Sequence, residues 1–256
     1  MANSYEDLSR YYDLIMTSGY YDYDVYARAL VTELAGLEDV LELGVGTGLA
    51  CERLLRAFDR DHDARPLARP APRLTGIDHT EAMLAQARER LGDRVRLMRQ
   101  DITEMTMPDA FDAAYSVGGV WTEVREETGI EVWSHLVEEE DDVQALKNVA
   151  EAVRPGGPLL IAVQQAHRSY DRPLPGGLVY AQELTAEPGE EGDGGKGGDR
   201  FIKDYYVRKD NGEVLAHQRS RYHVYPRQAA EDLLAKCGFR FDRVCGAGAL
   251  IRYVRE

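Results

Sequence analysis

Positive charge, cysteine and long apolar runs are scarce in this chain of 256 residues, and each shortage removes a class of function. Lysine and arginine number 31 against 45 aspartates and glutamates, a net charge of −14. Attraction to phosphate dominates nucleic-acid binding, so a chain of this sign is not a general nucleic-acid binder. The three cysteines, Cys51, Cys237 and Cys245, are too few and too scattered for a disulfide framework or a metal site. No stretch approaches the roughly 18 consecutive apolar residues of a membrane span. The opening "MANSYEDLSRYYDLIM" has neither the basic start nor the apolar run of a secretory signal. The expectation is a cytoplasmic protein with no metal and no membrane partner, acting on a small molecule. Internal repeats are absent as well.

What the chain does have is tyrosine, 15 residues against 5 phenylalanines and 2 tryptophans. Seven of them, Tyr5, Tyr11, Tyr12, Tyr20, Tyr21, Tyr23 and Tyr26, fall in the first 26 residues. Such a segment predicts amphipathic helices packing aromatic faces on a core, or an aromatic cap over a ligand, since tyrosine supplies area with a polar tip. After it, "VLELGVGTGLA" (40–50) reads as a buried strand entering a loop with glycine at alternate positions. Cys51, Leu54, Leu55 and Phe58 follow at helical spacing. A linker is expected over 59–73, then a strand "RLTGID" ending at Asp78 and a helix carrying Met83, Leu84, Ala87 and Leu91, with Thr80 at its N-cap. Further strands are "RVRLMRQD", ending at Asp101, "FDAAYSVGG" and, after a helix from about 140 to 153, "PLLIAVQQ". Strands alternating with helices at this spacing predict a doubly wound, mostly parallel α/β sheet.

The alternation then breaks. Residues 187–199 are acidic and glycine-rich, the composition of a mobile loop. "FIKDYYVRKDNGEVLAHQRSRYHVY" reads as a hairpin around Asp210, Asn211 and Gly212, followed by a helix and two last strands. The expected organisation is a helical cap over 1–36, an α/β core over 37–164, an antiparallel insertion over 165–225 and a return to the core over 226–256.

Open α/β sheets bind ligands beyond the carboxyl ends of their strands. Two readings compete for the glycine loop there. A dinucleotide site needs G-x-G-x-x-G/A, and Leu49 stands where the third small residue belongs. The alternative is Glu42, Gly44, Gly46 and Gly48 as E-x-G-x-G-x-G. Together with "GIDHTEAMLAQAR", "RLMRQDIT", "FDAAYSVGGVW" and "AVRPGGPLLIAV", it resembles the class I S-adenosyl-L-methionine (SAM)-dependent methyltransferases from about residue 38 to 165. The resemblance implies a seven-stranded Rossmann-like sheet and SAM as cofactor, with S-adenosyl-L-homocysteine (SAH) as product. It implies that Gly44 and Gly46 lie against SAM and that Glu42 fixes the loop or the amino group. By the same likeness Asp78 would hold the ribose hydroxyls, His79 and Met83 would flank the adenine, and Asp101 and Ile102 would meet its amino edge. Ser116 would sit near the methionine moiety.

The tyrosine-rich start and the late hairpin are similar to bacterial natural-product enzymes that methylate amino sugars. That likeness implies that Tyr11 or Tyr20 reaches the methionine end and that the insertion supplies the acceptor pocket. Trp121, Gln164 and Gln165 follow strands of the core, and Tyr180, Arg219 and Arg221 belong to the insertion; these are candidate acceptor contacts. His223, His167 and Tyr206 are candidate acid–base groups. Along "HQRSRYHVY", His217, Arg219, Arg221 and His223 share one face, Gln218, Ser220 and Tyr222 the other. The acidic run 138–142 is expected as a solvated helix start, and Glu123 as part of a solvated face. N-methylation of a small amine leads, C- or O-methylation of an indole or phenol comes next, and a non-catalytic SAM-fold binding protein is the reading from another class. The assembly, a homodimer among the options, stays open.

Overall fold

The computed structural model describes residues 5–64, 71–127, 129–187 and 199–256. Its centre is β1 (Asp39–Leu43), whose Val40, Leu41 and Leu43 are fully shielded. A strand apolar on both faces belongs inside a parallel sheet covered on both sides. β1 pairs in parallel with β2 (Arg73–Asp78) and with β4 (Ala113–Ser116). β2 pairs in parallel with β3 (Val95–Arg99), and β4 with β7 (Pro158–Gln165). β13 (Leu250–Arg255) runs antiparallel to β7, and β12 (Phe239–Cys245) antiparallel to β13. The resulting order β3-β2-β1-β4-β7-β13-β12 is the expected doubly wound sheet, with β13 its one reversed strand. Strand order turns back between β1 and β4, which puts the glycine loop at the switch point where such sheets bind ligands.

Helical spacing explains the layers over this sheet. In α3 (Leu49–Ala64) Cys51, Leu54, Leu55 and Phe58 face the core, and in α4 (Glu81–Leu91) Met83, Leu84, Ala87 and Leu91 do. α3 runs through 59–64, where the sequence predicts a linker; its charged residues there form a solvated helix face, and Asp59 pairs with Arg94. The remainder of that linker, 65–70, lies outside the described residues. α2 (Tyr23–Leu34) packs on α3 and shares one core cluster with the short α1 (Ser9–Ile15), while α5 (Glu139–Ala152) and α6 (Arg227–Lys236) belong to a second cluster.

The stretch 121–134 is a second departure from the sequence reading. It forms a hairpin, β5 (Trp121–Glu126) with β6 (Gly129–Ser134). β8 (Tyr170–Leu174), β9 (Leu178–Ala186), β10 (Asp199–Lys209) and β11 (Val214–Pro226) are antiparallel to their neighbours in the order β5-β6-β11-β10-β9-β8. Rather than a separate layer, these strands continue the main sheet. β4 stops at Ser116, opposite Ile161, and β5 takes up the freed edge of β7 at Val163–Gln165. The turn at Asp210–Gly212 falls where the sequence puts it. The expected mobile loop, 187–199, lies almost wholly outside the described residues. No helix among the described residues is long and apolar enough to cross a membrane.

Two acidic side chains expected in solvent are inside. Asp142, in the first turn of α5, is fully buried and accepts from Trp121 Nε1 (2.6 Å), Ser134 Oγ (2.6 Å) and Tyr225 Oη (2.8 Å). Glu123 is buried between β7 and β6 and accepts from Tyr253 Oη at 2.6 Å. Burial pushes the Asp142 carboxyl up to about 6 and that of Glu123 up to about 7.

Candidate active site

The glycine loop between β1 and α3 holds three left-handed residues, Gly44 (φ +71°), Gly46 (φ +55°) and Gly48 (φ +83°). Each lacks a Cβ for a different reason. At Gly44 a Cβ would come within 2.8 Å of the Gly119 backbone, in the loop following β4. At Gly48 it would meet the Leu91 side chain at 2.7 Å, where α4 packs down. Around Gly46 no atom stands within 4 Å of that position, so this backbone is bare toward open space. Beside it, Asp78 Oδ2 accepts from Gly46 N (2.9 Å) and Oδ1 from Thr80 N (2.8 Å). Asp78, rather than the Thr80 hydroxyl, thus caps α4. A carboxylate has about four acceptor sites, so two remain for a diol. An unshielded glycine beside a half-used carboxylate is a cradle that fits SAM.

The other positions that the resemblance assigns to SAM are arranged around this cradle with differing freedom. His79 is exposed, its Nδ1 4.0 Å from Asp78. Met83 is buried in the first turn of α4. Asp101 Oδ1 accepts from Thr103 N and Oγ1 at 2.9 and 2.8 Å, and so caps the turn after β3. Ile102 is buried, its carbonyl accepting from Asn148 Nδ2. Two expected contacts turn inward instead. Glu42 accepts from Tyr115 Oη (2.8 Å) and Cys51 Sγ beneath the loop, and burial pushes its carboxyl up to about 7. It braces the loop from below, the first of the two roles expected of it. Ser116 is fully buried and donates to the Trp121 carbonyl at 2.9 Å.

The N-terminal segment is tied to the loop from above. Thr47 Oγ1 donates to Asp13 Oδ1 at 2.6 Å, Arg90 Nε donates to the Thr47 carbonyl at 2.9 Å, and Arg90 also pairs with Asp13. Sequence reasoning missed all three residues, although Asp13 sits inside the quoted "YYDLI".

Next to the loop lies a small, partly open chamber walled by Gly118 and Thr122 and by residues of the antiparallel strands. Tyr5, Tyr12, Tyr20 and Tyr21 from the N-terminal segment meet Tyr205 and Tyr222 there. The hydroxyls of Tyr205 and Tyr222 are 2.6 Å apart, and Tyr5 Oη reaches Tyr222 at 3.2 Å. Gln164 Nε2 donates to Tyr21 Oη (2.7 Å), and its Oε1 lies 3.1 Å from His167 Nε2. Burial drives His135 down to about 3 and His167 well below its ordinary value, so both imidazoles are neutral. It raises the phenols of Tyr12, Tyr20 and Tyr21 far above theirs. Lys203 reaches in from β10 and donates from Nζ to Tyr20 Oη at 2.8 Å. Trp133 Nε1 and His167 Nδ1 are buried and make no hydrogen bond among the described residues. No aspartate or glutamate lines the chamber among the described residues.

Of the expected acceptor and acid–base residues, this chamber gathers Gln164 and His167, together with Tyr20, which was expected at the methionine end of SAM. Gln165 lines a larger outer cleft that shares Tyr20, Tyr21, Gln164 and His167 with it. Tyr11 is not in the chamber wall, where Tyr5, Tyr12 and Tyr21 stand instead. Tyr180 packs behind Tyr20 and donates to Gln182. The remainder are corrections with one cause, the alternation of side chains along a strand. On β11 it is Tyr222 that faces the chamber, so Arg219 and Arg221 leave the other face and pair with Asp204 and Glu187. Tyr206 stacks on His217 on that outer face, ring centroids 4.6 Å apart. His223 also points away, lying against Tyr225 at 4.1 Å. Trp121 is buried with its indole on Asp142. Missed were Lys203, His135, Trp133, Tyr205 and Tyr222. On β10 Lys203 shares its face with Tyr205 and Val207, which are buried with it.

Comparison with known proteins agrees with this geometry. Residues 40–157 match the family model described as a methyltransferase domain. No curated protein sequence matches the chain. Among solved structures it is similar to DesVI of Streptomyces venezuelae, at 18% identity over 96% of this chain and 98% of that one, TM-score 0.64. CalS10, an amino pentose methyltransferase from Micromonospora echinaspora, gives 18% identity, 96% and 97% coverage and TM-score 0.64. KedS8, a sugar N-methyltransferase from a Streptoalloteichus species, gives 16% identity, 96% and 92% coverage and TM-score 0.62. The methyltransferase domain matched over 40–157, the sheet order and the glycine–aspartate cradle all agree, so this chain carries a SAM-dependent methyltransferase domain on a class I fold.

Proposed function

We propose that this methyltransferase acts on the nitrogen of a small, hydroxyl-bearing amine, an amino sugar or a comparable natural-product intermediate. The observation that carries the reading is the chamber's chemistry. Among the described residues its wall presents neutral hydroxyls and imidazoles, two buried polar atoms without hydrogen-bond partners and no carboxylate. Orphaned buried donors and acceptors call for a polar ligand. A wall without negative charge favours the amine as its free base over the ammonium ion, and the free base is the nucleophile. The solved relatives named for an amino pentose and for a sugar nitrogen point the same way.

In this reading Gly46 and Asp78 hold SAM together with Gly44, His79, Met83, Asp101 and Ile102. When bound, SAM supplies a methyl carbon on a sulfonium, an electrophile that needs no further activation. The chain's own residues then position, dry and deprotonate. The N-terminal segment from Tyr5 to Tyr21 covers the site, and the tie of Asp13 to Thr47 holds that cover on the loop. β10 and β11 form the far wall and orient the acceptor, with Tyr222 and Tyr205 offering hydroxyls to it. Holding two reactants in register in a water-poor site supplies much of a transfer barrier.

The test is incubation with methyl-tritiated SAM and glucosamine, tryptamine, indole or 4-methylphenol. Label on the nitrogen of glucosamine or tryptamine is the expected result. Label only on indole carbon or on the 4-methylphenol oxygen moves the assignment to C- or O-methylation of an aromatic acceptor.

A further inference from the structure

The chamber contains one group that neither the cofactor cradle nor acceptor orientation accounts for. Lys203 is 1% exposed, yet it makes no ion pair among the described residues. A buried ammonium without a counter-charge is expensive, and proteins avoid it unless the group is used. Its Nζ donates to Tyr20 Oη at 2.8 Å and lies 5.5 and 5.2 Å from the ring centroids of Tyr20 and Tyr205. The surrounding titratable groups come from five parts of the chain. Tyr20 belongs to the N-terminal segment, Tyr205 to β10 itself, Tyr222 to β11, and His135 and His167 follow β6 and β7. All are neutral, so nothing nearby holds a proton on the lysine. Gly118, in the loop packed on Gly44, lines the same chamber. The amine and the loop beside the cofactor cradle therefore border one space.

We propose that Lys203 is the proton acceptor of this site, taking the proton that the acceptor atom must lose before methylation. The proposal rests on the functional reading above. An acceptor ammonium or hydroxyl transfers its proton to the Nζ lone pair, the acceptor atom keeps the electron pair of that bond, and Lys203 becomes an ammonium. Tyr20 positions Nζ through its hydroxyl, and the proton leaves toward the outer cleft that Tyr20 also lines. Burial supports the assignment, bringing the lysine from its ordinary value down to about 7. At neutral pH a substantial fraction is then free base.

Two readouts test it. The first needs no acceptor: trace acetylation of the intact protein with acetic anhydride across pH, with each lysine followed by mass spectrometry. Lys203 should titrate near pH 7 and other lysines near their ordinary value of about 10.4. A Lys203 midpoint above 9 overturns the proposal whatever any variant does. The second compares wild type, Lys203→Met and Lys203→Arg with tritiated SAM and glucosamine or 4-methylphenol. Lys203→Met should lower kcat about 100-fold or more, the usual contribution of a general base, while the SAH dissociation constant stays within threefold. The rise of kcat/KM with pH around 7 should vanish. Undiminished transfer by Lys203→Met, or full rescue by the permanently charged arginine, overturns the base role and leaves the functional reading standing. Failure of the wild type to label any of the acceptors overturns both.

Discussion

Gly44 and Gly46 are two residues apart and both left-handed, yet their surroundings give them different duties. Alanine at either costs about 1–2 kcal/mol for its backbone conformation. At Gly44 the new methyl also strikes the Gly119 backbone, which has no flexible end to yield. Gly44→Ala should therefore lower Tm by several degrees, at about 2–4 °C per kcal/mol for a chain of this size. At Gly46 the methyl enters open space, so thermal stability should fall much less while SAM affinity drops by about tenfold, near 1.4 kcal/mol. Thermal scans and calorimetric SAM titrations of both variants check the contrast; equal losses of affinity would remove the cradle assignment at Gly46. The glycine loop and the acids at the strand ends were readable in the sequence because they are local and ordered along the chain. Lys203 was not. Alone, a lysine reads as solvent-facing, and only the packing of three strands and the N-terminal segment buries it.

Among the elements, α1 depends on a tether more than on its own helicity. Seven residues are too few for a helix to persist unaided in water. Its hold on the glycine loop is Asp13, which receives Thr47 and Arg90. Charge-assisted bonds of this kind contribute about 1.5–3 kcal/mol. Asp13→Ala should speed amide exchange in residues 9–20 and weaken SAH binding severalfold, as read by exchange mass spectrometry and calorimetry. Unchanged exchange would show that the tyrosine packing holds the segment without it. Strand phase was likewise readable on β11, where alternation sorts His217, Arg219 and Arg221 from Gln218, Ser220 and Tyr222. Which set faces inward was not, because that depends on β10 and β6 alongside it. The hairpin β5–β6 left little trace at all. Thr122, Glu123 and Val124 are all buried, so the strand shows no alternation, and its inward glutamate imitates a solvated face.

For the whole molecule, the joining of parallel and antiparallel strands through β7 makes the core and the antiparallel extension parts of one sheet. Unfolding should then be a single transition. SAH at about a hundred times its dissociation constant adds about 2.7 kcal/mol to the native state. The entire transition should move up by roughly 5–10 °C at this chain length. Two transitions in a calorimetric scan, only one of them shifted by SAH, would show that the antiparallel extension melts on its own. The doubly wound core was anticipated because its strands alternate with helices along the chain, and its seven strands were what the resemblance implied. The continuity of the sheet was not, since it arises between β5 and the end of β7, about forty residues apart in sequence.

That junction carries an evolutionary consequence. The edge of β7 accommodates one neighbour at each position, and it admits β5 only because β4 ends at Ser116. Where one strand stops therefore decides whether a second wall is built at all. Variation in the extension can re-specify the acceptor without touching a residue of the cofactor cradle, while lengthening β4 by two or three residues would evict the extension outright. Substrate range in such a scaffold is governed by a boundary as much as by the side chains lining the pocket.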